Sequence, residues 1–151
     1  MKILIITLMI ITEVSAGTIS FIGPCSKEPI FERSFSLEKK SNVGKLTIEI
    51  LEAEGIPYLG TELGINSIFN TATGQEAIEI ISDQEMLAYG WCYKVNDFEP
   101  GDYPNQVLIE EADNLTWWFG YAHYKNGEWI AQCNPSYLRK SPVFCEEDKE
   151  R

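Results

Sequence analysis

The stretch GYAHYKNGEWIAQC (Gly120–Cys133) does most to decide the fold, because it predicts a tight β-hairpin. Asn126 and Gly127 suit a two-residue type I′ turn, in which both central residues take positive φ. The turn sets the register of its strands, so Tyr124 faces Trp129 and the two form an aromatic cross-strand pair. The same register predicts four more pairs. Lys125 faces Glu128 next to the turn. Farther from the turn, His123 faces Ile130, Ala122 faces Ala131, and Gly120 faces Cys133.

Hydrophobic periodicity predicts one helix and several strands before this hairpin. Strict alternation over residues 45–52 predicts a half-buried strand, and apolar residues at helical spacing predict a helix over 61–72. Three more strands are predicted at 77–81, 91–95 and 107–109. This order predicts an α+β fold, with a single helix packed on a mostly antiparallel, β-grasp-like sheet.

The N-terminal residues have the pattern of an export signal. Lys2 precedes an apolar run over residues 3–11, and Val14-Ser15-Ala16 offers a cleavage site. The run is too short to span a bilayer, which needs about 20 residues. We therefore expect a periplasmic or secreted protein that keeps no stable membrane anchor after signal cleavage. The predicted divisions are a signal peptide (1–16), an irregular lead-in (17–44) that packs as a strap or edge, a β-grasp-like domain (45–145) and an acidic tail (146–151).

The chain contains four cysteines, Cys25, Cys92, Cys133 and Cys145. They are widely spaced and include no Cys-x-x-Cys, which argues against a zinc knuckle or a thioredoxin-type centre. An exported protein meets an oxidising compartment, so two structural disulfides are expected. Sequence alone allows three pairings. We favour Cys92–Cys133 together with Cys25–Cys145, since the second bridge would tie the two ends of the domain together.

The formal net charge is −11. A surface this acidic repels nucleic acid, whose binding depends on Lys and Arg neutralising phosphates. Anionic membrane surfaces are disfavoured for the same reason. Cationic partners are favoured through electrostatic steering, although negative charge also serves to keep an exported protein soluble.

An aromatic β-face is the most suggestive candidate for a binding site. Trp117 and Trp118 are adjacent, so in a strand they must point to opposite sides of the sheet. One can fill the core while the other is exposed or is covered by the lead-in. Aromatic surfaces commonly bind rings, sugars or partner proteins. The predicted ligand-binding residues are Trp91, Tyr93, Trp117, Trp118, Tyr124 and Trp129.

We find no catalytic centre in the sequence, and we predict no enzyme activity, no cofactor and no metal. His123 lies between aromatic residues, and no Gly-x-Ser-x-Gly or His-Glu-x-x-His motif accompanies it. A packed strand histidine is the simpler interpretation. Carboxylates cluster near residues 97–102 and 110–113, where calcium or a glycosidase acid pair is an alternative, but neither cluster has EF-hand spacing.

The stretch Gly90-Trp91-Cys92-Tyr93-Lys94-Val95-Asn96-Asp97, followed by Ala112-Asp113 and Trp117, resembles the signature of the transcobalamin-like C-terminal domain family. That family comprises β-grasp-type domains found in exported bacterial proteins of unknown function and in vertebrate cobalamin carriers. The resemblance covers about residues 45–119, and it implies a fold more than a function. Asp97 and Ala112 stand where the family has glycine, so the turns there are expected to differ. Cobalamin binding is not implied, because the carriers use a second, helical domain for it.

Together these observations predict a non-enzymatic exported binding domain that uses its aromatic β-face for a small molecule, a glycan or a partner protein. The alternative is an acidic protein-interaction factor, such as an inhibitor of a cationic secreted enzyme. No nucleic-acid partner is expected.

Overall fold

A computed structural model describes residues 16–141 and 143–145. The acidic tail and the predicted signal peptide, apart from Ala16, lie outside the described residues. The elements in chain order are β1 (Gly17–Ile22), β2 (Pro29–Phe35), β3 (Ser41–Asn42), α1 (Val43–Ala53), β4 (Tyr58–Thr61), β5 (Gly64–Ile68), β6 (Ile78–Ser82), β7 (Glu85–Val95), β8 (Leu108–Ile109), β9 (Asn114–Lys125) and β10 (Glu128–Pro135), with 3₁₀ turns at Gly74–Ala77 and Ser136–Leu138.

The main sheet has six strands and is built around β9. Its order is β2-β1-β9-β7-β6, and β10 also pairs with β9. Strand β1 runs parallel to the first half of β9, and β10 runs antiparallel to the second half. The other pairs in the sheet are antiparallel. Two small ribbons, β3–β8 and β4–β5, complete the strand pairing of the described residues.

The predicted fold class was wrong. The chain is mostly β, and its main sheet is a curled, mixed sheet rather than a simple antiparallel sheet carrying a helix in a β-grasp arrangement. The parallel pairing of β1 with β9 makes the sheet mixed. This pairing joins positions about 96 residues apart in the sequence, so no local sequence pattern predicts it.

The lead-in, predicted to be irregular over 17–44, instead supplies β1, β2 and β3 and the start of α1. β1 lies inside the main sheet, and its Ile19 and Phe21 are fully buried. Their alternation with Thr18 and Ser20 is a short strand pattern.

Residues 45–52 form most of α1, not a strand. The buried residues Val43, Leu46, Thr47, Ile50 and Leu51 follow a spacing of three and four and so lie on one helical face. Asn42 caps the helix, because its Oδ1 accepts a hydrogen bond of 2.7 Å from the Lys45 amide.

Residues 61–72 form no helix; they contain β5 and a turn with positive φ at Phe69 and Asn70. The strands predicted at 77–81, 91–95 and 107–109 correspond to β6, the end of β7, and β8. The predicted turn at Asn126 and Gly127 is confirmed by their positive φ values.

Helix α1 covers one face of the main sheet, which we call the inner face. There it packs with β1, β7 and β9 in a single buried cluster. A second buried cluster on the same strands includes Leu87, Tyr89 and Phe119. The opposite side of β7 and β9 is the outer face. Of the helices in the described ranges, none has the length and apolar character needed to cross a membrane.

Candidate binding surface

The inner face buries two of the predicted binding residues. Trp117 is 1% exposed, and its indole Nε1 donates a 3.0 Å hydrogen bond to Thr47 Oγ1 of α1. The Tyr93 ring lies 5.0 Å from the Trp117 ring, and its hydroxyl donates to the Asp102 carbonyl at 2.8 Å. Burial, with the nearby Asp102 carboxylate, raises the pKa of Tyr93 to about 12. Both side chains are therefore core residues and lie outside any accessible surface.

Trp118 points to the outer face but is also buried, at 5% exposure. The end of β10 covers it, since its Nε1 donates a 2.8 Å hydrogen bond to the Cys133 carbonyl, and Ile22 of the lead-in lies beside it in the strand register. Trp91 is half-buried on the inner side, where its Nε1 donates to Thr71 Oγ1 at 2.8 Å. Neither tryptophan belongs to the open part of the outer face.

The end of β10 crosses over the outer face at Gly120. The predicted hairpin register holds for Lys125 with Glu128 and for Tyr124 with Trp129. It then fails, because irregularities after Trp129 and Ala131 place His123 opposite Ala131 and Gly120 opposite Pro135. Cys133 takes φ +56°, which directs the chain across the sheet.

The crossing is fixed by a disulfide. Cys133 bonds to Cys92 of β7, with 5.9 Å between their Cα atoms, and the second disulfide joins Cys25 to Cys145. This is the favoured pairing. The crossing also explains Gly120, because a Cβ there would lie 3.1 Å from the Asn134 carbonyl oxygen.

Beyond the crossing, an apolar row runs straight across four strands of the outer face. The strand register places Ile80 beside Met86, Met86 beside Tyr124, and Tyr124 beside Trp129. The Tyr124 and Trp129 rings pack edge to face, with centroids 5.4 Å apart. Ile80 is 68% exposed and Trp129 is 48% exposed. We call Ile80, Met86, Tyr124 and Trp129 the apolar row.

A shallow trough lies between the apolar row and the disulfide. Its floor is the two opposed pairs Ala88–Ala122 and Gly90–Gly120, and the Cys92–Cys133 bridge borders it. The trough has a volume of about 230 Å³. A Cβ at Gly90 would meet no atom within 4 Å, so the space above that glycine is open.

An ion-pair cluster joins β7 to β9 on the side of the sheet opposite the apolar row. Glu85 Oε1 lies 2.8 Å from His123 Nε2, and Glu85 Oε2 lies 3.2 Å from Lys125 Nζ. The hydrogen bond with His123, followed by that with Lys125, lowers the pKa of the Glu85 carboxyl. His123 is thus engaged by a carboxylate across the β7–β9 pair.

A second cluster ties β6 to the C-terminal segment. Glu79 accepts hydrogen bonds from Arg139, Tyr89 and Ser141 at 2.7–3.0 Å. Burial opposes its ionisation, but these bonds outweigh burial and lower the pKa of Glu79. The edge strand β6 is therefore held in place, while its isoleucines remain on the surface.

Two of the carboxylates considered as calcium ligands, Asp97 and Asp113, are engaged by neighbouring turn residues. Asp113 accepts from the Asn96 side chain at 2.6 Å and from the Glu110 amide at 2.7 Å, and Asp97 pairs with Lys94. Within the described ranges, His, Cys, Asp and Glu side chains form no group of three or more with metal-site geometry.

Of the six predicted binding residues, the open surface thus brings together only Tyr124 and Trp129. Sequence reasoning missed Ile80, Met86 and the trough floor. Two signals pointed to them: the isoleucine-rich run Ile78–Ile81, and the alternation of large with small residues over 87–90.

Comparison with known proteins leaves the chain without an assigned family. No protein-family model and no curated protein matches it. Among solved structures it is similar to a "putative metal binding protein" from Ruminococcus gnavus, at 15% identity and a TM-score of 0.46, over 76% of this chain and 100% of that one. A likeness at this level carries no argument about the ligand of this chain. The resemblance to the transcobalamin-like C-terminal domain stays a prediction.

Proposed function

We propose that the chain is an exported, non-enzymatic binding domain that docks a partner protein on the apolar row and the trough. The observation that carries the proposal is the register that aligns Ile80, Met86, Tyr124 and Trp129 on an open sheet face. Contiguous exposed apolar surface on a small domain marks interaction sites.

The shape of the surface favours a protein over a small molecule. Small-ligand pockets usually enclose about 300–1,000 Å³ and bury most of the ligand, whereas the trough holds about 230 Å³ and opens along the sheet. A protruding aromatic or aliphatic side chain of a partner fits such a trough, flanked by Trp129 and Tyr124. Tryptophan and tyrosine are the residues most enriched among interface hot spots.

The charge of the chain favours a cationic partner. With a net charge of −11, association with a basic protein is accelerated at low salt and slows as salt screens the charges. This property also supports the alternative of an acidic factor that blocks a cationic secreted enzyme, through the same face.

The proposed location rests on the cysteines and the N-terminal pattern. Two disulfides fit an oxidising compartment. Export by cleavage near Ala16 is the route that we propose.

A non-enzymatic role is supported by His123, whose ring nitrogen contacts Glu85 rather than a hydroxyl or thiol nucleophile.

The proposal is tested with the oxidised domain immobilised and exposed to the exported proteins of its source cells. Gly90→Val fills the trough from a position with free space, and Trp129→Gln removes an aromatic anchor. Gly64→Val is the matched control, because Gly64 is also a strand glycine with open space at its Cβ. We expect wild type and Gly64→Val to retain a common protein that both surface variants lose. Retention unaffected by both variants contradicts the proposal, as does elution of a small molecule alone.

A further inference from the structure

A second cavity lies between β7 and the β4–β5 ribbon, and we call it the inner cleft. Trp91 of β7 lines one wall, and Leu59, Ile65 and Asn66 of the ribbon line the other. Ile65 packs in the same buried cluster as α1, which places the ribbon on the inner side of the sheet. The inner cleft has a volume of about 590 Å³, within the range of about 300–1,000 Å³ that is typical of small-ligand pockets.

Trp91 gives the inner cleft a fixed aromatic wall. Its side chain is half-buried, and its Nε1 donates a 2.8 Å hydrogen bond to Thr71 Oγ1. Its ring packs edge to face against the Phe21 and Phe119 rings, with centroids 6.3 and 5.7 Å away. The orientation of the indole is thus set before a ligand arrives, so binding costs little side-chain entropy there.

The polar side chains of the inner cleft are uncharged. Asn66 is exposed, and Thr73 also lines the cleft. Thr73 precedes the first 3₁₀ turn, but its hydroxyl makes no capping hydrogen bond. An amide side chain and a hydroxyl each both donate and accept hydrogen bonds. Within the described ranges, no charged side chain lines the inner cleft.

We propose that the inner cleft binds a neutral sugar unit of a glycan. One face of a sugar ring carries mainly C–H groups, which match Trp91 and the largely exposed Leu59. The hydroxyls around the ring donate and accept, as do the side chains of Asn66 and Thr73. A flat apolar ring would cover these two side chains without replacing their hydrogen bonds to water, which lowers affinity.

Charge also selects a neutral ligand. A charged ligand would lose hydration in the inner cleft without meeting an opposite charge on its walls. The net charge of −11 repels an anionic sugar in addition. Strand β7 borders both the inner cleft and the trough, but the other walls differ, and this proposal does not rest on the docking of a partner protein.

The test is a titration of the isotope-labelled, oxidised protein, followed by NMR. The neutral probes are cellobiose, maltose and diacetylchitobiose; digalacturonic acid is the anionic comparison and indole is the apolar ring. We expect at least one neutral disaccharide, at tens of millimolar, to shift the Asn66 side-chain amide and the Trp91 indole signals until they saturate. Digalacturonic acid and indole are expected to bind at least about tenfold more weakly.

Variants assign the binding to the inner cleft. Asn66→Ala and Thr73→Val each remove one hydrogen-bonding group, and each is expected to weaken binding about two- to twelvefold. Thr73→Ser keeps the hydroxyl and is the matched control. Trp129→Gln alters only the outer face, and both controls are expected to keep the affinity within about twofold of wild type.

Four results would overturn the proposal. They are the absence of a saturable shift with every neutral disaccharide, tighter binding of indole or digalacturonic acid than of all of them, an affinity of the Asn66→Ala/Thr73→Val double variant equal to that of wild type, and shifts confined to Tyr124 and Trp129. The last result would place the sugar on the outer face. Failure to retain a partner protein there leaves these readouts unchanged, so the two proposals fail separately.

Discussion

Gly90 and Gly120 face each other across β7 and β9, and the same substitution is expected to act in opposite directions at the two positions. A Cβ at Gly90 meets no atom within 4 Å. Gly90→Ala is therefore expected to increase the free energy of unfolding by about 0.4–1 kcal/mol, because alanine reduces the conformational entropy of the unfolded chain.

At Gly120 the added methyl meets the crossing of β10. Its Cβ would lie 3.1 Å from Asn134 O, 3.1 Å from Trp118 Nε1 and 3.3 Å from the Cys133 carbonyl carbon. These atoms belong to backbone and to a buried ring beside a disulfide, so they have little room to move. Overpacking of this kind costs about 1–3 kcal/mol. After the entropic gain of about 0.4–1 kcal/mol is subtracted, Gly120→Ala is expected to lower the free energy of unfolding by roughly 0–2.6 kcal/mol.

The assay is equilibrium urea unfolding of both variants and wild type with the disulfides intact. A shift of the midpoint at constant slope reports the change in stability. Stability of Gly120→Ala above that of wild type would refute the crossing of β10 over the sheet. Destabilisation by Gly90→Ala would refute the open trough, on which the proposed binding surface depends.

Three further predictions concern the framework. Thr47→Val leaves the buried Trp117 indole N–H without its acceptor and is expected to lower the free energy of unfolding in urea by about 1–3 kcal/mol. Thr47→Ser keeps the hydroxyl and is expected to cost about 1 kcal/mol, so equal losses in the two variants would refute the role of the hydroxyl. Because the pKa of Glu79 is lowered in the folded state, its contribution to stability is present above its unfolded pKa of 4.5 and is lost as pH falls below that value. The melting temperature of Glu79→Gln should therefore depend less on pH between 6 and 3 than that of wild type. The same pH dependence in the two proteins would contradict this. Replacing Cys25 and Cys145 by serine opens a loop of 120 residues and is expected to lower the free energy of unfolding by about 5 kcal/mol, by the chain-entropy relation. Thermal unfolding measures this change, and a loss below about 1 kcal/mol would contradict the prediction.

Local chemistry made part of the fold predictable. The turn at Asn126 and Gly127 depends on two adjacent residues that accept positive φ, and the structure has it as predicted. The two pairs nearest the turn follow from it. The pairs beyond Trp129 do not, because the bulges there serve the crossing and the disulfide, which are tertiary features.

The helix was misplaced because its sequence satisfies two periodicities. Leu46, Ile48 and Ile50 alternate as in a strand, while Val43, Leu46 and Ile50 match a helical face. The Asn42 cap and the packing of the helical face against the sheet favour the helix over the strand. The interior position of β1 depends on a parallel partner far along the chain, so its short alternation alone did not reveal it.

The candidate site was partly predictable for a similar reason. The sequence shows that Trp117 and Trp118 point to opposite faces, but it does not show that both faces are covered, one by α1 and one by the end of β10. Tyr124 and Trp129 were found because the hairpin pairs them. Ile80 and Met86 join them only through the register of β6, β7 and β9.

The most direct test of the binding surface is photo-crosslinking in the source cells from a residue of the apolar row. Ile80→p-benzoylphenylalanine places the probe on the outer face at a position that is 68% exposed. Leu63→p-benzoylphenylalanine is the matched control, since Leu63 is 58% exposed but lies in the turn between β4 and β5. We expect a discrete adduct with one partner protein from position 80, none from position 63, and loss of that adduct when Trp129→Gln is added. No adduct from position 80, or the same adduct from both positions, would contradict docking on this face.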